Sequence, residues 1–243
     1  MKADLDIGGT LRQVFEIYRE QARVLLPVAF WLFLIAAIVT GLTEGDLALA
    51  PIQLVVTTIV TTLYMGMVVG LVRDVQEGRR DFSVGELSRS VLPVLLPLIA
   101  ASVLFFIGIF FGFILLVVPG LILVTIWAVF APVIVIERSG VFDAFGRSRE
   151  LVRGNGWRVF GVVIITGVIV VVVAIALAAI AMAIANGPIV SIVISALAST
   201  VTAPVEGLVA SVLYFRLLAI ERSAPSPQPE VASVLEQPGD GQG

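Results

Sequence analysis

Residues 159–205 read VFGVVIITGVIVVVVAIALAAIAMAIANGPIVSIVISALASTVTAPV, 47 residues without an Asp, Glu, Lys or Arg. A helix crosses about 30 Å of hydrocarbon with about 20 residues at about 1.5 Å each. The run is twice too long for one crossing and reads as a helical hairpin. Asn186-Gly187-Pro188 supplies its turn, residue types that end one helix and open the next. The run is continuously apolar, which excludes a transmembrane β-barrel, whose strands alternate apolar and polar over about 10 residues. Apolar sequence resumes after Glu206, from Gly207 to Phe215.

Working outward, three more uncharged runs appear at 24–43, 47–72 and 90–136, and the four runs together hold 140 of the 243 residues. The first two fit one helix each. The third is again a hairpin, with Pro119-Gly120 as its turn signal. The chain therefore reads as an all-α, polytopic membrane protein with six spans at 24–43, 48–72, 95–118, 119–136, 159–185 and 189–215. Its 59% hydrophobic and 14% charged composition excludes a soluble globular enzyme, a disordered chain and a nucleic-acid binder. Ala48-Leu49-Ala50 resembles a signal-peptide cleavage site. Glu44 and Asp46 separate it from the apolar run, so the first helix reads as retained.

The 15 basic residues settle the expected orientation. Lys2, Arg12, Arg19 and Arg23 precede the first span. Arg73, Arg79, Arg80 and Arg89 lie between the second and third. Arg138, Arg147, Arg149, Arg153 and Arg158 lie between the fourth and fifth, and Arg216 and Arg222 follow the sixth. Six spans put every one on a single face, which the positive-inside rule makes cytoplasmic, with both termini inside. Five or seven spans would break the segregation.

Each basic connection contains a short amphipathic stretch. In the first, Leu11, Val14, Phe15, Tyr18 and Ala22 form the apolar stripe, opened by a Thr10–Gln13 capping box. In the second, Val84, Leu87 and Val91 form it, with a Ser83–Glu86 box. In the third, Phe142, Phe145, Leu151 and Val152 are less regular, and Asp143 suits the helix dipole. The expectation is three pseudo-repeats, each an interfacial cytoplasmic helix followed by a membrane hairpin. Small-residue pairs Gly66/Gly70 and Gly108/Gly112 let helices approach closely. Ser191, Ser195 and Ser199 on the sixth span, and Thr57, Thr58, Thr61 and Thr62 on the second, fit helix contacts or a solute path. Residues 1–222 form the membrane domain, and the Pro- and Gly-rich 223–243 reads as a disordered cytoplasmic tail.

Chemistry has few candidates. Glu206 is an acid inside the sixth span, two residues after Pro204. A charged side chain at mid-bilayer costs about 2.5–3.5 kcal/mol and usually faces the bundle interior with a partner. It is either a polar or ion-binding spot, helped by a carbonyl that Pro204 frees, or a packing residue. The chain has no Cys and no His, which removes disulfides, thiolate metal sites, the commonest general base and the commonest metal ligand. There is no phosphate-cradling glycine loop and no carboxylate cluster for Mg²⁺. No catalysis, metal or cofactor is expected.

The most distinctive stretch is 119–157: Pro119-Gly120, Trp127, Ala131-Pro132-Val133, Glu137, Gly140, Ala144, Arg147-Ser148, Leu151, Gly154 and Trp157. It resembles a group of bacterial six-helix membrane families that includes the membrane domain of some glycerophosphoryl diester phosphodiesterases. The resemblance implies a six-helix fold in a bacterial cytoplasmic membrane and carries over no catalysis. It implies structural roles for Pro119 and Gly120 at an outer turn, Glu137 at the end of the fourth span, and Arg147 and Ser148 on the third short helix. An ion pair between Glu137 and Arg147 fits that pattern. The functional expectation is a non-enzymatic accessory, scaffold or lipid-associated protein. Its partners are the lipid bilayer and a membrane protein or a second copy. The alternative is a small transporter or channel using Glu206.

Overall fold

A computed structural model of the chain describes residues 5–43, 45–79, 84–184 and 187–223. Among these the elements are helices joined by turns: α1 (Ile7–Thr43), α2 (Ala50–Gln76), α3 (Val84–Val91), α4 (Leu95–Leu115), α5 (Val117–Ile126), α6 (Phe130–Glu137), α7 (Val141–Val152), α8 (Gly156–Ile184) and α9 (Pro188–Ser223). Six segments are long and apolar enough to cross a membrane: Ile7–Thr43, Leu47–Gln76, Gly85–Leu115, Val117–Glu137, Gly156–Ile180 and Ile189–Ser223. The order of elements puts all the described arginines at one end of the bundle, here called the basic end.

Prolines start most of these helices. Pro51 opens α2, Pro119 lies in the first turn of α5, Pro132 in the first turn of α6, and Pro188 begins α9. A first-turn N–H has no intrahelical acceptor, so its loss is free there. This corrects two expectations. The third and fourth spans turn at the single extended residue Leu116, with φ −171° and ψ 151°, and not at Pro119-Gly120. The fourth span is also not continuous: α5 stops at Ile126 and α6 starts at Phe130, where Pro132 has no N–H to offer the carbonyl of Ala128.

The first amphipathic stretch differs as well. It is not a separate helix but the beginning of the 37-residue α1, about 55 Å long. The helix begins at Ile7, so Thr10 and Gln13 form no capping box. The Thr10 hydroxyl donates to the Asp6 carbonyl at 2.6 Å. The buried stripe is Thr10, Val14 and Ile17, with Phe15 turned outward. Ser83, Glu44, Asn186, Lys2 and Arg80 lie outside the described residues, as does the tail beyond Ser223.

α2 is the central helix, buried at Val60, at Thr62 and from Gly66 to Val72. An added Cβ at Gly66 would sit 2.5 Å from Val91 Cγ1, and one at Gly70 would sit 3.5 Å from Leu87 Cδ2. These glycines thus admit α3 against α2, as their spacing predicts. Gly108 makes room for the Trp127 ring and Gly112 for the backbone of Gly120, so the α4–α5 hairpin closes tightly. α1 and α9 run side by side and antiparallel: Gly41 lies against Ile192 near one end, and Gly9 and Gln13 against Arg216 near the other. Pro27 and Pro204 fall inside these two long helices. Beside each, a tyrosine from another helix or segment donates to a nearby carbonyl: Tyr64 to Leu25 at 3.2 Å and Tyr18 to Val201 at 3.3 Å.

The two halves of the bundle are packed differently. Near the basic end Tyr64, Leu71, Leu98, Ile134, Leu208, Leu213 and Tyr214 are fully buried. Toward the far end Leu54, Phe106, Phe110, Val172, Ile175 and Ile189 are exposed. On α8 burial stops at Thr166 among the residues whose side chains are described. Such surface suits lipid, which is as apolar as the side chains it would touch.

Candidate functional site

The break in the fourth span is where sequence and structure converge. A span interrupted at Trp127–Val129 leaves backbone groups without helical partners, and buried ones must find others. Trp127 N donates to Leu123 O at 3.0 Å and Phe130 N to Trp127 O at 3.2 Å. The remaining need is met by α7. The fully buried Ser148 hydroxyl donates to Ile126 O at 2.9 Å and accepts from Val129 N at 3.3 Å. One side chain therefore joins both edges of the break.

Aromatic rings hold α7 in that position. Phe145 lies 4.6 Å from Trp127 and 5.4 Å from Phe130, centroid to centroid, and Phe105 of α4 stacks on Phe130 at 5.0 Å. Ala144, Phe145, Ser148, Leu151 and Val152 form the inward face. Phe142, expected to share it, is 79% exposed. It sits three residues before Phe145, on the outer side of the helix.

Arg147, next to Ser148, is the electrostatic hub. Its Nη1 and Nη2 donate to the two carboxylate oxygens of Glu221 on α9, at 2.7 and 2.6 Å. Its Nε lies 3.5 Å from Glu137 of α6, and Nη1 lies 3.7 Å from Glu150. The Tyr214 hydroxyl donates to Glu137 at 2.9 Å. The fork geometry of a guanidinium makes the paired contact with Glu221 the strong one. It raises the Arg147 pKa above the ordinary value, against the opposing effect of burial, and it lowers that of Glu221. The carboxylates here are engaged by Arg147 or Tyr214, so the cluster is a clasp joining α6, α7 and α9. A second clasp ties the first helix to the last: Arg216 donates from Nε to Gln13 and from Nη2 to Gly9 O, both at 2.9 Å.

The structure thus brings together Glu137, Arg147 and Ser148, including the expected Glu137–Arg147 ion pair. Pro119 and Gly120 lie at the far end, where Gly120 packs against Phe113 and Gly112. Glu206 and Pro204 stand apart on α9. Pro204 is buried, and Glu206 keeps accessible surface although the bundle surrounds it closely, with no hydrogen bond or ion pair among the described residues. It lies about 27 Å from Pro188, midway along the 36-residue α9. The partner expected for an acid at that depth is absent among the described residues. Ser191, Thr57 and Thr202 donate to carbonyls of their own helices, and the α9–α2 contact beside Glu206 is Gly207 against Val68 and Met65. Among the described residues no group of three Asp, Glu, His or Cys could hold a metal ion.

Sequence reasoning missed Glu221, and it gave no role to Tyr214 or to Trp127. Glu221 lies 74 residues from Arg147, and no local pattern signals that pairing.

Comparison with known proteins adds a family. No curated protein and no solved structure matches the chain. A family model described as a domain of unknown function, DUF7847, matches residues 44–219, from the turn after α1 to near the end of α9. The chain belongs to that DUF7847 family.

Proposed function

We propose that the chain is a non-enzymatic integral membrane protein with an accessory or scaffold role, associated with lipid at its basic end. The observation that carries this reading is the contrast between the two halves of the bundle. The basic half is locked by the Arg147 and Arg216 clasps around a packed core. The far half presents helix surfaces such as Val168, Val172 and Ile175 of α8 that none of the described residues covers. A rigid base with unpartnered helix arms fits a protein that receives another membrane protein or a second copy. The positive-inside rule makes the basic end cytoplasmic, with both termini inside. The resemblance to the six-helix families supports a bacterial cytoplasmic membrane.

A small transporter or channel is the second reading. The break in the fourth span favours it, because interrupted helices line substrate sites in transporters. Ser148 occupies that break and bonds both of its edges, so the scaffold reading is preferred. The test is affinity purification from native membranes, with mass spectrometry of the proteins and lipids retained and a photo-crosslinker at Val172. A protein crosslinked through Val172 is the expected result. Recovery of bulk lipid alone would overturn the proposal.

A further inference from the structure

We infer that the outward face of α7, with the start of α8, is a seat for anionic phospholipid of the bilayer that holds the chain. This deepens the lipid-associated part of the proposed function and rests on it. Short turns join α7 to the end of α6 and to the start of α8. Three residues of chain at each side span only about 10 Å, so α7 stays level with the basic ends of the fourth and fifth spans.

Its inward face is fully used by the break and the aromatic cluster. Its outward face carries Phe142, Arg149 and Arg153 at helical spacing, and Trp157 follows in the first turn of α8. Phe142 is 79% exposed and Trp157 85%. Large aromatics at that level belong at a membrane–water boundary, where an apolar body meets lipid and headgroups lie alongside.

Charge then selects the headgroup. In the sequence Glu150 adjoins Arg149 and would neutralise it, but in the fold Glu150 turns to Arg147 at 3.7 Å. Asp143 folds back over Gly140, within 3.1 Å of where a Cβ there would stand. Arg149 and Arg153 are exposed and make no side-chain hydrogen bond or ion pair among the described residues. By contrast, Arg73 is paired with Glu77, and Arg79 with Asp74 and Glu77. The face therefore offers two uncompensated guanidinium groups between two aromatic anchors, a combination that fits a phosphate headgroup on an acyl chain.

The test uses the full chain in mixed micelles of phosphatidylglycerol and phosphatidylcholine, with retained lipid read by native mass spectrometry. The wild type is expected to enrich phosphatidylglycerol. R149Q/R153Q should cut that enrichment about thirty-fold, from two charges worth roughly 1 kcal/mol each. R73Q/R79Q, the same change in charge on paired arginines, should leave it unaltered. On the wild type itself, phosphatidylglycerol should slow phenylglyoxal modification of Arg149 and Arg153, and added salt should reverse the effect. No enrichment in the wild type, equal loss in R73Q/R79Q, or protection of the two arginines by a co-purified protein instead of lipid would overturn the inference. A partner still crosslinked at Val172 in R149Q/R153Q would leave the scaffold reading standing, which separates the two failures.

Discussion

Ser148 of α7 donates a 2.9 Å hydrogen bond to the carbonyl of Ile126, the last residue of α5, and accepts one from Val129 across the break. Both backbone groups depend on a single hydroxyl from another helix. Ser148→Ala leaves them without it and should destabilise the fold by about 1–3 kcal/mol, read as a lowered unfolding midpoint in detergent. A midpoint unchanged within error would mean that water or backbone adjustment takes over.

The Glu221 carboxyl is held below its ordinary value of 4.5, chiefly by the hydrogen bonds from Arg147. The native state therefore binds that proton less readily than the unfolded chain. The stabilisation is complete above the ordinary value and fades as pH falls through the lowered native one. Both side chains are partly exposed, so the effect is small. The protection of α7 amides, taken relative to their intrinsic exchange rates at each pH, should fall on acidification from pH 7 to below 4, and Glu221→Gln should remove most of that dependence. Glu137 and Glu150 also face Arg147, and Arg222 lies near Glu221, so some residual slope belongs to them.

Two glycines should respond oppositely to alanine. At Gly66 the new methyl would stand 2.5 Å from Val91 and should cost about 1–3 kcal/mol. At Gly146, helical and with nothing within 4 Å, it should add about 0.5–1 kcal/mol through helix propensity. Paired thermal unfolding curves decide both.

Glu206→Gln should change stability by less than about 0.5 kcal/mol, since the carboxylate has no partner among the described residues. A loss above about 2 kcal/mol in chemical denaturation would reveal a contact that the isolated chain lacks.

Topology is directly measurable because the chain has no cysteine. Gly45 and Gly187 both sit at left-handed φ, +89° and +145°, where a side chain is strained. Single cysteines at the exposed neighbours Leu47 and Ile189 should label from outside intact cells, and one at Gly85 should not. Labelling at Gly85 alone would invert the orientation.

The six long helices were legible because uncharged runs and prolines carry them. Pro132 also held a sign of the break, since it withholds one helical hydrogen bond, but Pro27 and Pro204 do the same inside continuous helices, and an unbroken apolar run hid the difference. Glu137, Arg147 and Ser148 were named in advance, and what they do was only half visible. The span break gives Ser148 its role, and Glu221, 74 residues away, gives Arg147 its strongest partner. Glu206 was legible as an acid within a span, but its lack of a partner among the described residues was not, because hydropathy reports depth along a helix and not what a side chain touches.

The antiparallel contact of α1 with α9 bears on biogenesis. Once made, α1 must wait for α9 before Arg216 can reach Gln13 and Gly9. At about 5–20 residues per second, the stretch between Thr43 and Arg216 takes roughly 10–35 s to make. Until then the flank of α1 that α9 will cover is open to any neighbouring helix in the membrane. This closing contact thus forms only once α9 has been made, and a chain truncated before α9 would leave α1 permanently available to insertion and quality-control factors.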